Sequence, residues 1–144
     1  MVMTTPEQNK ELVLRFNKEF IEGGNIKAFK DLIAPDFVNQ TAPPGAPKGP
    51  EGVLYFFNEF LRPAFPDLKV EIYDMVAEGD KVATRKAYHA THQEPFFGVP
   101  ASNKKVVMPV IDIVRLRDGQ FIEHWNVVDM QNVMMQIEAS KRES

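Results

Sequence analysis

Asp112, His124 and Asn126 are the residues of this chain best suited to chemistry. They place a carboxylate, an imidazole and an amide inside two otherwise apolar runs, VVMPVIDIVRL and QFIEHWNVVD, separated by Arg117-Asp118-Gly119. A carboxylate abstracts protons, an imidazole accepts or donates them, and an amide hydrogen-bonds a carbonyl or enolate oxygen. Burying such groups without partners is expensive, so a core that keeps them contains either a hydrogen-bonded network or a ligand site. The residue types alone fit a satisfied core pair or a solvated face as well as a site.

The turn between the runs sets which groups meet. A two-residue loop, Asp118-Gly119, places Asp112 opposite Trp125, whereas a three-residue loop with Gly119 left-handed places it opposite His124. The three-residue register is preferred because it gathers Val110, Asp112, Val114, Leu116, Ile122, His124, Asn126 and Val128 on one face. That face is apolar with one polar cluster, as a binding cavity requires. It sends Ile111, Ile113, Phe121, Trp125 and Val127 outward, a strip too apolar for open solvent, which predicts a homodimer across the outer sheet face.

The elements that must hold this pair are readable from periodicity. Thr5-Pro6-Glu7-Gln8 is a capping box with proline at the first helical position. Leu12, Val13, Phe16, Phe20 and Ile21 then recur at helical spacing until Gly23-Gly24. Asn25 caps a second, short helix with the stripe Ile26, Phe29, Leu32 and Ile33, ended by Pro35. Pro50 opens a third helix carrying Val53, Leu54, Phe56, Phe57, Phe60 and Leu61, closed by the stretch from Pro63 to Pro66. The intervening TAPPGAPKGP is a loop, read either as part of a cavity mouth or as a plain connector.

From Leu68 the period becomes that of strands, over 68–76, 81–92, 105–116 and 120–128, with Glu78-Gly79-Asp80 as a further hairpin turn. Helices followed by antiparallel strands predict an α+β domain spanning 1–144. The loop QEPFFGVPASNK brings Phe96, Phe97 and Val99 back over an apolar surface, and residues 130–140 form a closing helix. The sheet is expected to wrap the helices as a cone, with Phe56, Phe57 and Phe60 lining its cavity; an aromatic stripe at helical spacing also describes ordinary core.

Composition narrows the partners. At 144 residues one core accounts for the chain. A net charge of -3 without long like-charge runs predicts no nucleic-acid surface and no polybasic membrane contact. No apolar run approaches the roughly 20 residues that cross a bilayer. The absence of cysteine excludes a thiol nucleophile, and with no signal-peptide core in MVMTTPEQNK the expected location is cytoplasmic. No metal site is expected: His89 and His92, three apart in a strand, fall on opposite faces. Neither Ser102 nor Ser140 lies in a nucleophile elbow, and there is no glycine-rich phosphate loop.

APDFVNQTAPPGAPKGPEGV, FPDL, THQEPFFGVPASNKKV and IDIVRLRDGQFIEHWNVVD together resemble, in order and spacing, the SnoaL-like polyketide cyclases (ester cyclases) of the NTF2-like superfamily, over roughly Glu11 to Ile137. The resemblance implies a cone-shaped α+β barrel with helices packed in a curved antiparallel sheet, usually dimeric, around a pocket that uses no cofactor. In characterised members that pocket closes an anthracycline precursor ester by intramolecular aldol chemistry, with an aspartate of the last long strand as general acid/base. Matching EHWNVVD puts that position at Asn126, where many relatives read HWD. An amide cannot abstract a proton, so that mechanism does not transfer unaided. Asn39 and His124 match pocket positions, Asp112 stands where characterised cyclases carry histidine, and His92 matches the TH-x-G-x-F segment, altered here by Glu94-Pro95.

These readings predict a cofactor-independent enzyme moving protons on a small hydrophobic carbonyl compound. Asp112 is the base, His124 orients or protonates, Asn126 and Asn39 hold a carbonyl or enolate oxygen, and His92, Phe56, Phe57, Phe60 and Val110 contribute to ligand binding. The alternatives are a non-catalytic binding protein with the same polar cluster and a core network with no ligand. An open pocket, and an Asp112 without a permanent cationic partner, are the features that would favour catalysis.

Overall fold

The structure, a computed structural model, describes residues 4–143, with side chains through residue 138. Part of the reading of the N-terminal segment, at residues 1–3, therefore lies outside the described residues. Helix α1 (Pro6–Arg15) begins as its capping box dictates: the Thr5 hydroxyl accepts the Gln8 N–H at 3.1 Å, and the Gln8 side chain accepts the Thr5 N–H at 2.9 Å. It continues into π-helical turns over Phe16–Glu22. Helix α2 (Ile26–Leu32) is capped by Asn25, whose side chain accepts the Ala28 N–H at 3.2 Å. Helix α3 (Pro50–Tyr55) likewise widens to π turns over Phe56–Leu61, and a single turn, α4 (Arg62–Ala64), ends the segment. A π turn holds an extra residue and so rotates the rest of the helix about its axis. Both wide segments supply side chains to the cavity.

Strand β1 (Ile33–Asn39) was not expected, since the stripe of the second helix extends to Ile33 in the sequence. Ile33 instead opens a strand that pairs in parallel with β5. Pro35 lacks an amide donor, and β1 tolerates it because it is an edge strand. Strands β2 (Lys69–Glu78), β3 (Lys81–Thr91), β4 (Lys105–Arg117) and β5 (Gln120–Val128) form an antiparallel meander in a sheet of order β1-β5-β4-β3-β2. Helix α5 (Met130–Glu143) closes the chain. The α+β class and the sheet wrapped around helices are as expected, with one parallel pairing added.

Neither expected register of the β4–β5 hairpin occurs. The turn is the two-residue one, with Asp118 at φ 54° and Gly119 at φ 78°, pairing Arg117 with Gln120. A β-bulge then leaves Ile122 unpaired between Leu116↔Phe121 and Arg115↔Glu123. Asp112 consequently faces Asn126, and His124 faces Val114. The extra residue restores the alternation, so the three polar groups still share the inner face. It reverses the residues before it: Phe121, expected outside, is 2% exposed and packs 5.0 Å from the Phe16 ring.

The core is rich in phenylalanine. Phe20 and Phe65 are fully buried, and Phe96 of the 93–104 loop inserts between Phe60 and Phe65 at 5.2 and 5.0 Å. On the outer sheet face Ile111, Ile113 and Val127 stay exposed. Among the described residues no helix is long and apolar enough to cross a membrane.

Candidate active site

The wrapped sheet and the helices enclose a cavity of about 620 Å³. Phe37, Phe56, Phe57 and Phe60 form its walls, and the exposed lining residues Pro43, Pro47, Tyr55 and Phe97 mark its rim. Phe97 is held there by backbone geometry. Phe96 and Val99 exchange both backbone hydrogen bonds at 3.0 Å, which makes Phe97 (φ 48°) and Gly98 (φ 76°) the tip of a two-residue turn. A left-handed phenylalanine is a strained choice. Its ring lies edge-on to Phe60 at 5.1 Å, over the cavity mouth.

Asn39, Asp112, His124 and Asn126 all line this cavity. Asn39 closes β1 opposite His124, and its Oδ1 lies 3.2 Å from His124 Nδ1. Asn39 Oδ1 also accepts the Thr41 N–H at 3.2 Å, so the oxygen faces the ring and Nδ1 carries the imidazole proton. His124 Nε2 has no hydrogen-bond partner among the described residues. Burial pushes the His124 pKa down to about 4, with Lys86 acting the same way and Asp112 opposing. The ring is therefore neutral at pH 7, its one N–H is committed to Asn39, and it offers the cavity an acceptor at Nε2.

Asn126 is tied to the proline-rich loop, which is thus more than a connector. Its backbone N–H donates to Thr41 Oγ1 at 2.9 Å, and its Oδ1 lies 2.7 Å from the same hydroxyl, accepting its proton. The Asn126 NH2 is then the end left to donate.

Asp112 has a partner that the sequence reading missed. Lys86, only 2% exposed on β3, places Nζ 2.9 Å from Asp112 Oδ2 and donates to Asn17 Oδ1 at 2.7 Å. Burial pushes the ammonium's pKa down, the adjacent Asp112 carboxylate pushes it up, and the net direction is up. Asn17, on the first π turn, fixes its own orientation by donating from Nδ2 to the Val13 carbonyl at 2.9 Å. Tyr88 completes the floor: its ring lies 5.1 Å from Lys86 Nζ, and burial pushes its phenol above the ordinary range. Asp112 Oδ1 and Thr84 Oγ1, in register on β4 and β3, are buried and have no hydrogen-bond partner among the described residues. One signal for Lys86 was available, its shared strand parity with Val82, Tyr88 and Ala90.

Two expected binding residues stand apart from the cavity lining. Val110 is buried core at 2% exposure. His92 is fully buried, with Nδ1 accepting the Ser102 N–H at 3.2 Å and lying 3.0 Å from the Ser102 hydroxyl. Its ring packs against Phe65 at 5.6 Å, so it clamps the ends of the 93–104 loop. Phe56, Phe57 and Phe60 do line the cavity. His89 turns outward to Glu71 at 2.8 Å. Among the described residues no group of three or more His, Cys, Asp or Glu could hold a metal ion.

Comparison with known proteins agrees with this architecture. No curated protein matches the sequence. Among solved structures, wild-type IdmH from Streptomyces antibioticus, proposed to be a polyketide cyclase, is 31% identical over 91% of this chain and 99% of its own, with a TM-score of 0.81. A SnoaL-like protein from Jannaschia sp. CCS1, also proposed to be a polyketide cyclase, is 30% identical over 96% and 99% of the two chains, with a TM-score of 0.80. AclR from Streptomyces galilaeus, proposed to be a hydroxylase, is 26% identical over 94% and 98%, with a TM-score of 0.81. The family model described as SnoaL-like polyketide cyclase matches residues 11–137, and the chain belongs to that family.

Proposed function

We propose that this protein is a cofactor-independent enzyme that moves protons on a small hydrophobic carbonyl compound. The observation that carries the reading is the convergence of Asp112, His124, Asn126 and Asn39 in one largely apolar cavity walled by Phe37, Phe56, Phe57 and Phe60. Asp112 takes a proton from the carbon next to a carbonyl, and the electron pair of that C–H bond moves into an enolate. The Asn126 NH2 donates to the oxygen as it becomes charged, and His124 Nε2 accepts from a hydroxyl of the substrate. The enolate carbon then either bonds to a second carbonyl carbon, whose alkoxide takes the proton back from Asp112, or is reprotonated at another position. Ring closure and isomerisation share this half-reaction.

The test is deuterium incorporation from D2O into the α-carbons of β-tetralone, a bicyclic ketone, monitored by NMR. Wild-type protein should accelerate exchange, and Asp112→Asn combined with Lys86→Met should lose that acceleration by about 10²- to 10⁴-fold, the ordinary worth of a positioned base. The paired substitution is needed because Asp112→Asn alone strands the Lys86 charge. A second reading, non-catalytic binding, is favoured by the hold of Lys86 on Asp112 Oδ2 and by an amide at position 126. It predicts that β-tetralone perturbs the protein's NMR spectrum while exchange stays at the buffer rate.

The exposed strip of Ile111 (55%), Ile113 (37%) and Val127 (72%) supports a homodimer closed across the outer sheet face. Sedimentation at micromolar concentration should then give twice the 16.4 kDa chain mass, and Ile111→Lys with Val127→Lys should return it to one chain. A wild-type protein sedimenting only at the chain mass refutes the dimer.

A further inference from the structure

The buried ammonium of Lys86 is the charged group of the cavity floor with no part in the proposed reaction, and it sits where it controls the reacting carboxylate. Its position is built from three elements. β3 carries Lys86 on its inner face, β4 brings Asp112 Oδ2 to 2.9 Å, and the π turn after α1 brings Asn17 Oδ1 to 2.7 Å. Asn17 cannot turn away without giving up its bond to the Val13 carbonyl at 2.9 Å. The ammonium is thus anchored from the helix side, and it engages one of the two oxygens of Asp112. The other, Oδ1, is buried and has no hydrogen-bond partner among the described residues. Asn17 and Lys86 therefore make the two oxygens of one carboxylate unequal.

We propose that Lys86, held by Asn17, is a positioning residue for the base: it fixes Asp112 through Oδ2 and supplies the charge that balances the carboxylate inside an apolar cavity. The proposal rests on the assignment of Asp112 as base. The other titratable groups facing the pair are Tyr88 on β3 and His124 on β5, both uncharged at pH 7 because burial disfavours their charged forms. Lys86 is then the one cation on the cavity floor among the described residues, and no neighbouring group replaces it when it is removed. A carboxylate left alone in such surroundings takes up a proton at higher pH, because burial disfavours the charge that the ammonium had balanced.

The experiment tracks the Asp112 side-chain carboxyl carbon by NMR through a pH titration, its signal assigned by its loss in Asp112→Asn. The wild type is compared with Lys86→Arg, Lys86→Gln and Lys86→Met, and β-tetralone exchange is recorded over the same range. Lys86→Met should move the carboxyl titration upward by about one to three pH units, with the acid limb of the exchange profile moving with it, and Lys86→Arg should leave both near the wild type. Lys86→Gln keeps a hydrogen-bond donor without the charge and should fall between them, which decides the matter if the methionine variant does not fold. A carboxyl titration unchanged in both the glutamine and methionine variants overturns the role of Lys86. A titration that moves in a protein whose wild type gives no exchange upholds the ionic control of Asp112 and overturns the proton-transfer reading.

Discussion

Lys86→Met lowers the unfolding free energy by about 3–5 kcal/mol, and adding Asp112→Asn to the same chain returns most of it. The reason is the geometry of a pair whose side chains are only 2% and 9% exposed. Removing the ammonium leaves a carboxylate that has already lost most of its water and now lacks its countercharge. Removing both charges leaves methionine against asparagine, a neutral pair that can pack where the ion pair stood. Buried ion pairs contribute little net stability over such replacements, and the large penalty belongs to breaking them singly. Urea unfolding at pH 7 of the wild type, the single variant and the double variant measures both effects. Equal stability of the single variant and the wild type would mean that water already solvates Asp112 through the cavity.

Phe20→Ala produces a loss of similar size, about 3–5 kcal/mol, by a different mechanism. Phe20 is fully buried, with the rings of Phe16, Phe29 and Phe57 at 5.3, 4.9 and 5.7 Å and the Arg62 guanidinium at 5.1 Å over its face. Arg62 is held in place by donating to the Phe20 and Ile21 carbonyls at 2.8 and 3.0 Å, so it cannot swing in to fill the space. The hole would sit where α1, α2 and the third-helix segment meet, directly behind the aromatic wall of the cavity. Phe20→Leu keeps most of the volume and should lose less than half as much. Thermal or urea unfolding of the two variants checks the ranking.

Much of the scaffold was legible in the sequence because its signals are local. The capping box at Thr5, the Asn25 cap, Pro50 at a helix start and the alternation of the four long strands each depend on a few neighbouring residues. The features that escaped depend on contacts distant in sequence. The bulge at Ile122 leaves no mark in the hairpin, since Asp118-Gly119 serves either loop length, and the alternation it restores is visible only once both strands are paired. β1 is short, carries Pro35 and borrows its identity from β5. The π turns at Asn17 and Phe56 are set by the surfaces against which the helices pack. Asp112, His124 and Asn126 were recognisable because a carboxylate, an imidazole and an amide stand out from apolar strands. Lys86 was hidden because a lysine in ATRKAYHAT reads as a solvated position, and only the fold brings Asp112 and Asn17 to it. His92 and Val110 were placed in the site by likeness and by parity, which do not distinguish a cavity wall from the core behind it.

The measurement that bears most directly on the proposed proton-transfer site is a crystal structure of the protein with β-tetralone bound. A ketone seated in the cavity, with an α-carbon about 3–3.5 Å from a carboxylate oxygen of Asp112 and its carbonyl oxygen within hydrogen-bond reach of the Asn126 NH2, is the predicted arrangement. A ketone lodged at the rim beside Tyr55 and Phe97, with its carbonyl toward solvent and no carbon within reach of Asp112, would contradict it.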